Sequence, residues 1–431
     1  MLNDYSDPQS KLPLGQAVPL GIQHVLAMFA SNLAPAFIIA GAAGIGAQTG
    51  YLIQMAMFFS GLTTLFQTIG VVFIGARLPI MMGTSFAFVP VMLAIVKSGG
   101  GMPALTGAII ISGLVQASLG LIIGKIRHVL PPLITGLVIL SIGLSLLPVG
   151  IDYAAGGVPL KGTEAFGSLT NWSLALIVIV VTLAVKFMTR GFLQMAAVLI
   201  GLCAGYIAAV AMGVVNFSRI AEKPLIALPD PLHFGISFEF GAILAMIMIG
   251  FVSAIETVGD TSGITKGGAG REATDKELSG ATWADGLGSA LGGFFGALPN
   301  TSFSQNVGLI AMTKVMSCFV VSIGALLLLV AGLFPHIGAA LATLPPAVLG
   351  GGVIVMFGMI VSTGISMLSG VVMNRRNMLI IAVALSLGLG LQAVPEALQH
   401  VQGTIGILLK SGLIPVVVIS ILLDRLLPEE I

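Results

Sequence analysis

Residues 83–90 read GTSFAFVP, and residues 300–307 read NTSFSQNV. Both segments contain Thr-Ser-Phe, and the second copy follows the first at a numbering offset of 217 (301 − 84), about half of the 431-residue chain. Pro90 and Pro299 disfavour helix next to these motifs, hydroxyl side chains compete for backbone hydrogen bonds, and β-branched and aromatic residues favour extended chain. We therefore predict a short extended piece followed by a half-helix in each segment. The alternative is a pair of ordinary helices that are kinked at proline.

A second repeated motif, Leu-Pro-Pro, occupies positions 130–132 and 344–346, at a numbering offset of 214 (344 − 130). Glycines follow each leucine after six and after twenty positions, namely Gly136, Gly150, Gly350 and Gly364. Two motifs in the same order at nearly the same offset indicate an internal duplication. We place the two halves at residues 1–217 and 218–431.

The composition is that of an all-α polytopic membrane protein, with 57% hydrophobic and 8% charged residues. Soluble domains carry about 25% charged residues, and a core of this length could not hide so much apolar surface. Two cysteines exclude a disulfide framework and a Cys-rich metal site, and a net charge of +1 gives no reason to expect a nucleic-acid partner. We expect no cleaved signal peptide, since the N-terminal stretch MLNDYSDPQSKLPLG lacks the basic start and short apolar core.

Charged residues mark the ends of the membrane spans, because ~30 Å of hydrocarbon takes about 20 helical residues to cross. The uncharged stretch from Lys11 to Arg77 has room for two spans, and five more fit before Arg219. The second half similarly holds seven, from one that starts near Glu239 to one that ends before Asp424. The sequence thus predicts fourteen spans, with the extended segments in spans 3 and 10. An odd number of spans in each half gives the halves opposite orientations, which is the inverted-repeat plan of secondary transporters.

The distribution of Lys and Arg predicts a multi-pass protein of the cell (inner) membrane with both termini in the cytoplasm. In that orientation thirteen of the eighteen basic residues lie on the cytoplasmic side. The five that do not are Lys97, Lys161, Arg219, Lys223 and Lys410.

Acidic residues inside the spans are candidate functional groups, because a charge there costs several kcal/mol. Glu256 lies seventeen residues after Glu239 and ten before Lys266, within one span. It is suited to carry a proton or to accept N–H bonds from a ligand, and the alternative is a buried acid that joins two helices. Asp260 and Asp285 are weaker candidates, with helix capping or structural hydrogen bonding as the alternative roles.

His24 is the one histidine of the first span, where a hydrogen-bonded structural role is the more common one. It could bridge to Glu256 if the first spans of the two halves lie side by side. The charge run from 266 to 277 predicts a solvated cytoplasmic loop.

Residues 305–314 read QNVGLIAMTK and match Q/E-N-x-G-x-x-x-x-T-R/K/G. This is the signature of the nucleobase–ascorbate transporter family, also called nucleobase-cation symport family 2. Gln23-His24, residues 83–86 and residues 256–260 resemble its other landmarks, in family order. The words SFSQNVGL and IDYAAGG resemble the bacterial xanthine/uric acid permease group in particular. The resemblance implies a core domain from spans 1–4 and 8–11, a gate domain from spans 5–7 and 12–14, and a homodimer.

The resemblance also implies roles for individual residues. Glu256 and Gln305 would bind the base through their side chains, and Phe86 and Ser304 would offer main-chain groups from the two extended segments. Ser85 would lie beside the ligand. The supporting polar network and proton-coupling groups would be His24, Asp260, Asp285 and Asn306.

The expected function is import of an oxopurine, xanthine or uric acid, coupled to protons and carried out by an elevator-type movement, with no cofactor or metal. Sodium coupling is the less favoured alternative. A uracil or other nucleobase permease of the same family remains open, as does an anion carrier or channel on the same fold. A membrane-embedded enzyme is the third class, but no H-E-x-x-H occurs and the histidines are scattered.

Overall fold

The structure is a computed structural model, and it describes residues 5–126, 131–217, 220, 223–401 and 403–428. Arg127 and Arg219 of the charge pattern and Leu130 of the first Leu-Pro-Pro motif lie outside the described residues.

The described chain is helical apart from two three-residue strands. In chain order the elements are α1 (Leu14–Ala42), α2 (Thr49–Ile69), β1 (Met82–Thr84), α3 (Val89–Ile95), α4 (Gly101–Leu119), α5 (Ile123–Ile126), α6 (Pro132–Ala154), α7 (Leu169–Met188), α8 (Phe192–Met195), α9 (Ala197–Ala211), α10 (Phe240–Ala269), α11 (Asp275–Phe294), β2 (Asn300–Ser302), α12 (Ser304–Thr313), α13 (Cys318–Ala331), α14 (Pro335–Leu341), α15 (Pro346–Ser369), α16 (Arg375–Ala393), α17 (Gly403–Lys410) and α18 (Leu413–Leu426). Short 3-10 turns occupy Gly46–Gln48, Val158–Leu160 and Pro395–Leu398, and a π-turn occupies Val96–Gly100.

Eight helices of the described chain are long and apolar enough to cross a membrane, or up to ten when each sharply bent pair counts as one span. The bent pairs are α13 with α14, at 88°, and α17 with α18, at 87°. The chain is therefore an all-helical membrane protein. The half-helices α3 and α12 are only seven and ten residues long, so neither could cross ~30 Å of hydrocarbon alone.

The two Thr-Ser-Phe segments pair with each other, and each is extended and then helical, as predicted. Strands β1 and β2 are antiparallel, with Gly83 opposite Thr301. Ser85 N donates to Pro299 O at 2.9 Å, and Phe303 N donates to Met81 O at 3.0 Å.

These two hydrogen bonds are related by a numbering offset of 218 (303 − 85 and 299 − 81). The sequence offset of 217 is thus one residue out of register with the paired strands. Side chains alternate between the two faces of a strand, and facing residues such as Gly83 and Thr301 share a face. A rotation that preserves both faces must therefore relate the strands by an offset with the parity of 301 − 83, which is even. The structural counterpart of Phe86 is therefore Ser304.

The Leu-Pro-Pro motifs start two matching helices, α6 and α15, with Pro131 and Pro345 at the N-cap positions. These helices form the most extensive helix–helix contact of the described chain, at glycine positions. A Cβ added at Gly136 would lie 3.0 Å from Leu368, and one added at Gly350 would clash with the backbone of Ala154. Both contacts are related by a numbering offset of 214 (350 − 136 and 368 − 154), so the repeated glycines are needed for close helix approach.

The charge run from 266 to 277 is a tight turn between α10 and α11 rather than a long loop. Thr274 caps α11 in a capping box with Glu277, whose carboxylate also accepts two hydrogen bonds from Arg271, at 2.5 and 2.9 Å. The bidentate pair and the cap fix the angle between the two helices.

Candidate functional site

Helices α10 and α12 carry five of the predicted site residues, namely Glu256 and Asp260 on α10 and Ser304, Gln305 and Asn306 on α12. Helices α10 and α12 run in the same direction along each other. A Cβ added at Gly263 would lie 2.9 Å from Val307, and one added at Gly267 would lie 3.0 Å from Ala311. The glycines of α10 therefore allow the half-helix to approach closely.

Asp260 joins α10 to both ends of the β2–α12 junction. Its carboxylate accepts hydrogen bonds from Ser302 Oγ at 2.7 Å and from Ser304 Oγ at 2.8 Å. Ser302 is the last residue of β2 and Ser304 is the first of α12, so one carboxylate fixes the point where extended chain becomes helix. This position also favours a negative charge, since the N-terminus of α12 carries a partial positive charge.

Glu256 lies four residues before Asp260, about 6 Å along the same helix. Its side chain is partly exposed. On α12, Ser304, Gln305 and Gly308 are exposed, and Gly259 of α10 is exposed beside them. A Cβ at Gly259 would meet no atom within 4 Å, and one at Gly308 would meet only Met195 Cε at 3.9 Å. Glu256 and Gln305 thus border an open face between α10 and α12.

Asp285 of α11 is fully buried and is held by polar partners from two other helices. It accepts hydrogen bonds from Thr257 Oγ1 of α10 and, at 3.2 Å, from Gln67 Nε2 of α2. Thr257 is adjacent to Glu256 in sequence, so α11 is linked to the site through one residue of α10.

His24 contacts α12, not α10. Its Nδ1 lies 3.0 Å from Asn306 Nδ2, which also donates to the carbonyl of His24 at 3.0 Å. The suggested bridge from His24 to Glu256 is not what the structure shows. Helix α1 packs against α13 and α12, so His24 and Asn306 position the half-helix that carries Gln305.

Ser85 and Phe86 follow β1 at the matching turn of the first half. Ser85 is 1% exposed, and its hydroxyl accepts a hydrogen bond from Ala87 N at 3.2 Å, so the side chain caps its own turn. The ring of Phe86 packs edge-on against Phe357 of α15, with centroids 5.5 Å apart and an interplanar angle of 89°. Phe86 therefore lies where β1 meets the α6–α15 helices.

Sequence reasoning missed two polar residues that hold this region together. Asn32 Oδ1 of α1 accepts from Thr84 N at 2.7 Å and from Ser60 Oγ at 2.9 Å. Gln67 of α2 donates to Asp285 and to Ala281 O, and it accepts from Ala76 N at 3.1 Å. Both are fully buried. An amide side chain inside an apolar span is the signal that could have found them.

Lys314, the last residue of the signature, ends α12 in a left-handed conformation with φ +59°. Its ammonium group donates to Gly267 O of α10 at 2.6 Å. The two helices that carry the candidate site are thereby joined at their C-terminal ends.

Among the described residues, no group of three or more His, Cys, Asp and Glu side chains is placed to hold a metal ion. A cavity of about 910 Å³ lies away from the candidate site, lined by Phe73, Arg77 and the start of α11.

Residues 15–397 match the model of a protein family described as a permease family. A putative purine permease of Clostridium perfringens is 37% identical over 426 residues, which cover 97% of this chain and 92% of the relative. The uric acid permease PucK of Bacillus subtilis is 38% identical over 405 residues, covering 93% of this chain and 92% of that protein. The xanthine permease XanQ of Escherichia coli is 35% identical over 432 residues, covering 97% and 93%.

Solved structures share the fold at low identity. The transmembrane domain of a cyanobacterial bicarbonate transporter, BicA, aligns with a TM-score of 0.61 at 18% identity, covering 96% of this chain and 98% of that chain. The murine Slc26a9 anion transporter in an inward-facing state aligns with a TM-score of 0.58 at 13% identity, covering 97% and 69%.

Proposed function

The chain belongs to this permease family, the nucleobase–ascorbate transporters, and on that premise we propose that it imports an oxopurine, xanthine or uric acid, across the cell membrane. One observation carries the proposal. Asp260 fixes the start of α12 so that Gln305 stands exposed there, on the open face that Glu256 also borders. The relatives that are named uric acid and xanthine permeases support this substrate class.

The exposed side chains match the edge of an oxopurine. The ring displays N–H and C=O groups side by side, and the Gln305 amide offers one donor and one acceptor in the same spacing. The Glu256 carboxylate accepts an N–H from another part of the ring. Main-chain N–H groups at the start of α12 add donors, and the counterpart position in the first half is Phe86.

The same geometry supports fourteen spans in two inverted halves. The strand hydrogen bonds repeat at a numbering offset of 218 and the α6–α15 glycine contacts at one of 214, close to half the chain length. In this scheme β1 with α3 forms span 3, and β2 with α12 forms span 10. Each is a broken span whose extended part would lie near the middle of the membrane.

We propose that two groups of helices form the core and gate domains. Helices α1–α4 and α10–α14 pack mainly with one another, as do α6–α9, α15, α16 and α18, whereas α17 lies between the groups and packs against α10 and α3. Phe86 with Phe357 is a further contact between the groups. Such an arrangement suits an elevator in which the core carries the base past a stationary gate.

The contacts between the groups support an inward-facing state. With the N-terminus in the cytoplasm, α1 ends and α10 begins on the outer side. There Tyr153 Oη donates to Phe37 O at 2.6 Å, and a Cβ added at Gly241 would lie 2.8 Å from Thr404. The open face of α12 lies toward the inner side.

Proton coupling is supported by the charges around the site. Glu256 and Asp260 lie on α10, and Asp285 lies on the neighbouring helix α11. None of the three takes part in an ion pair described in the structure. A lone charge within the membrane costs several kcal/mol, which favours uptake of a proton when the core crosses.

We propose a homodimer in the cell membrane, with both termini in the cytoplasm as the Lys and Arg pattern predicts. Helices α7 and α16 expose most of their apolar surface, which is available to lipid or to a second copy.

Uptake of radiolabelled xanthine and uric acid by cells that express the protein, with and without a protonophore, tests this function. We expect uptake that the protonophore abolishes. Glu256→Gln and Gln305→Ala should abolish uptake while the amount of protein in the membrane is unchanged. Full uptake by Glu256→Gln would rule out its role in coupling.

Glu239→Gln is the matched control, since Glu239 precedes the first turn of α10 and lies outside the site. It should transport normally. Uptake of uracil but neither purine would favour the uracil-permease alternative.

A further inference from the structure

Thr84 and Asn300 form an unusual pair in the crossing of β1 and β2. They lie directly opposite each other, and each is 1% exposed. The hydroxyl of Thr84 and both polar atoms of the Asn300 amide have no hydrogen-bond partner in the described structure. Among the described residues, Asn300 is the one side chain with two buried polar atoms that both have no partner.

The strand geometry places these groups close together on one face. The bonds from Ser85 to Pro299 and from Phe303 to Met81 join every second pair, so Thr84 and Asn300 form a non-hydrogen-bonded pair. In such pairs the Cα atoms are about 4.5 Å apart and the side chains approach closely. Gly83 points to the other face, where an added Cβ would meet Phe303 at 2.5 Å.

The neighbouring polar groups are already engaged. Ser289 Oγ accepts from Asn300 N at 2.9 Å and donates to Asn300 O at 3.2 Å. Thr64 Oγ1 accepts from Met82 N at 2.9 Å, and Asn32 Oδ1 accepts from Thr84 N. These three side chains are therefore committed to backbone groups of the strands, and they leave the facing side chains of Thr84 and Asn300 without a protein partner.

We propose that Thr84 and Asn300 bind internal water, which bridges the Thr84 hydroxyl and the Asn300 amide within the strand crossing. Water fits because it donates and accepts, as the amide requires, and buried water typically makes about three bonds to such groups. A cation fits poorly, since the pair offers an N–H₂ group and no carboxylate.

This water site adjoins the candidate functional site. Ser302 lies two residues after Asn300 on the same face, about 7 Å along β2, and its hydroxyl donates to Asp260. The strands lead directly to Phe86 and Ser304. A water bridge would thus brace the two strands at the point from which both half-helices start.

Thr84→Val, Asn300→Leu and the double variant form the energetic test, measured as melting temperatures of the purified protein. Each single variant leaves the other side chain without its water-mediated partner and should melt about 1–3 °C lower. The double variant should melt higher than the sum of the two losses predicts, because it removes both groups that the water serves. Additive losses would overturn the proposal.

Thr182→Val combined with Asn300→Leu is the matched control. Thr182 is also buried and its hydroxyl unpartnered, but it lies in α7, in the other group of helices. Its effect should add to that of Asn300→Leu; equal coupling would point to a general loss of packing and would overturn the proposal.

A density map of the unmodified protein that resolves ordered water tests the site directly, whether or not the variants fold. We expect a density peak within hydrogen-bond distance of both side chains. A direct bond between Thr84 and Asn300 with no peak would overturn the proposal. A melting temperature that rises with sodium but not with choline, and that no longer does so in Asn300→Leu, would overturn it as well, because it would identify the occupant as a cation.

Discussion

Asn32 offers the sharpest test of how the broken spans are held in place. The side chain is fully buried and joins three elements. Its Oδ1 accepts from Thr84 N of β1 at 2.7 Å and from Ser60 Oγ of α2 at 2.9 Å, and its Nδ2 donates to Ala56 O at 3.4 Å. We predict that Asn32→Leu, which keeps the branched shape of the side chain and removes the acceptor, destabilises the protein and reduces uptake.

The magnitude follows from the two donors that lose their acceptor. A buried donor left unsatisfied costs about 1–3 kcal/mol. The Thr84 N–H is fixed by the strand and bears the full cost, whereas the Ser60 hydroxyl can rotate toward the carbonyl of Ala56, four residues earlier. The expected loss is therefore about 1–3 kcal/mol. With an unfolding entropy of about 2 cal/mol/K per residue over 431 residues, this corresponds to a fall of about 1–3 °C in melting temperature.

Melting of the detergent-purified protein and purine uptake per molecule at the membrane are the two measurements. Asn32→Asp is the matched control, because its neutral carboxyl keeps the acceptor for Thr84 N and a donor for Ala56 O without the cost of a buried charge. It should melt above Asn32→Leu and retain more uptake. If Asn32→Leu melts and transports like the unmodified protein, or if Asn32→Asp is equally damaging, the hydrogen bond to Thr84 does not hold β1 in place.

Tyr153→Phe removes the hydroxyl that donates to Phe37 O, a net loss of about 1 kcal/mol, so the outer contact should open about fivefold more often. With both native cysteines replaced by serine, a cysteine in place of Thr404 should react faster with an impermeant thiol reagent from outside; an unchanged rate would contradict the inward-facing state. Gly350→Val should sharply lower the yield of folded protein, because its side chain would meet the backbone of Ala154. Gly358→Val, on the same helix but with nothing within 4 Å, should be tolerated, and equal yields would contradict this packing.

Sequence patterns predicted the local structure at positions where proline, hydroxyl or charged residues determine the backbone conformation. Proline and hydroxyl residues around Thr-Ser-Phe gave the extended pieces, and Pro131 and Pro345 stand where α6 and α15 begin. The charges at Glu239 and Lys266 bracket α10 closely. In each case the structure is determined by residues that are adjacent in the chain, and these can be read directly from the sequence.

The sequence did not predict which distant groups meet. His24 pairs with Asn306 because α1 lies against α12, and no local pattern encodes that contact. The Thr-Ser-Phe motifs repeat at an offset of 217, whereas the paired strands are related by an offset of 218. A repeated motif does not indicate which face of a strand each side chain occupies. Asn32 and Gln67 were missed because an amide side chain in an apolar helix indicates a buried hydrogen bond but does not indicate which residue is the partner.

The conformation of Lys314 explains why the last position of the signature accepts such dissimilar residues as Arg, Lys and Gly. A left-handed backbone favours glycine, which has no Cβ to resist it. A long basic side chain offsets that strain by reaching the carbonyl of Gly267. A residue such as valine has neither property. Chemical similarity is therefore a poor guide to the substitutions that position 314 tolerates, because glycine and the basic residues stabilise the same left-handed turn in different ways.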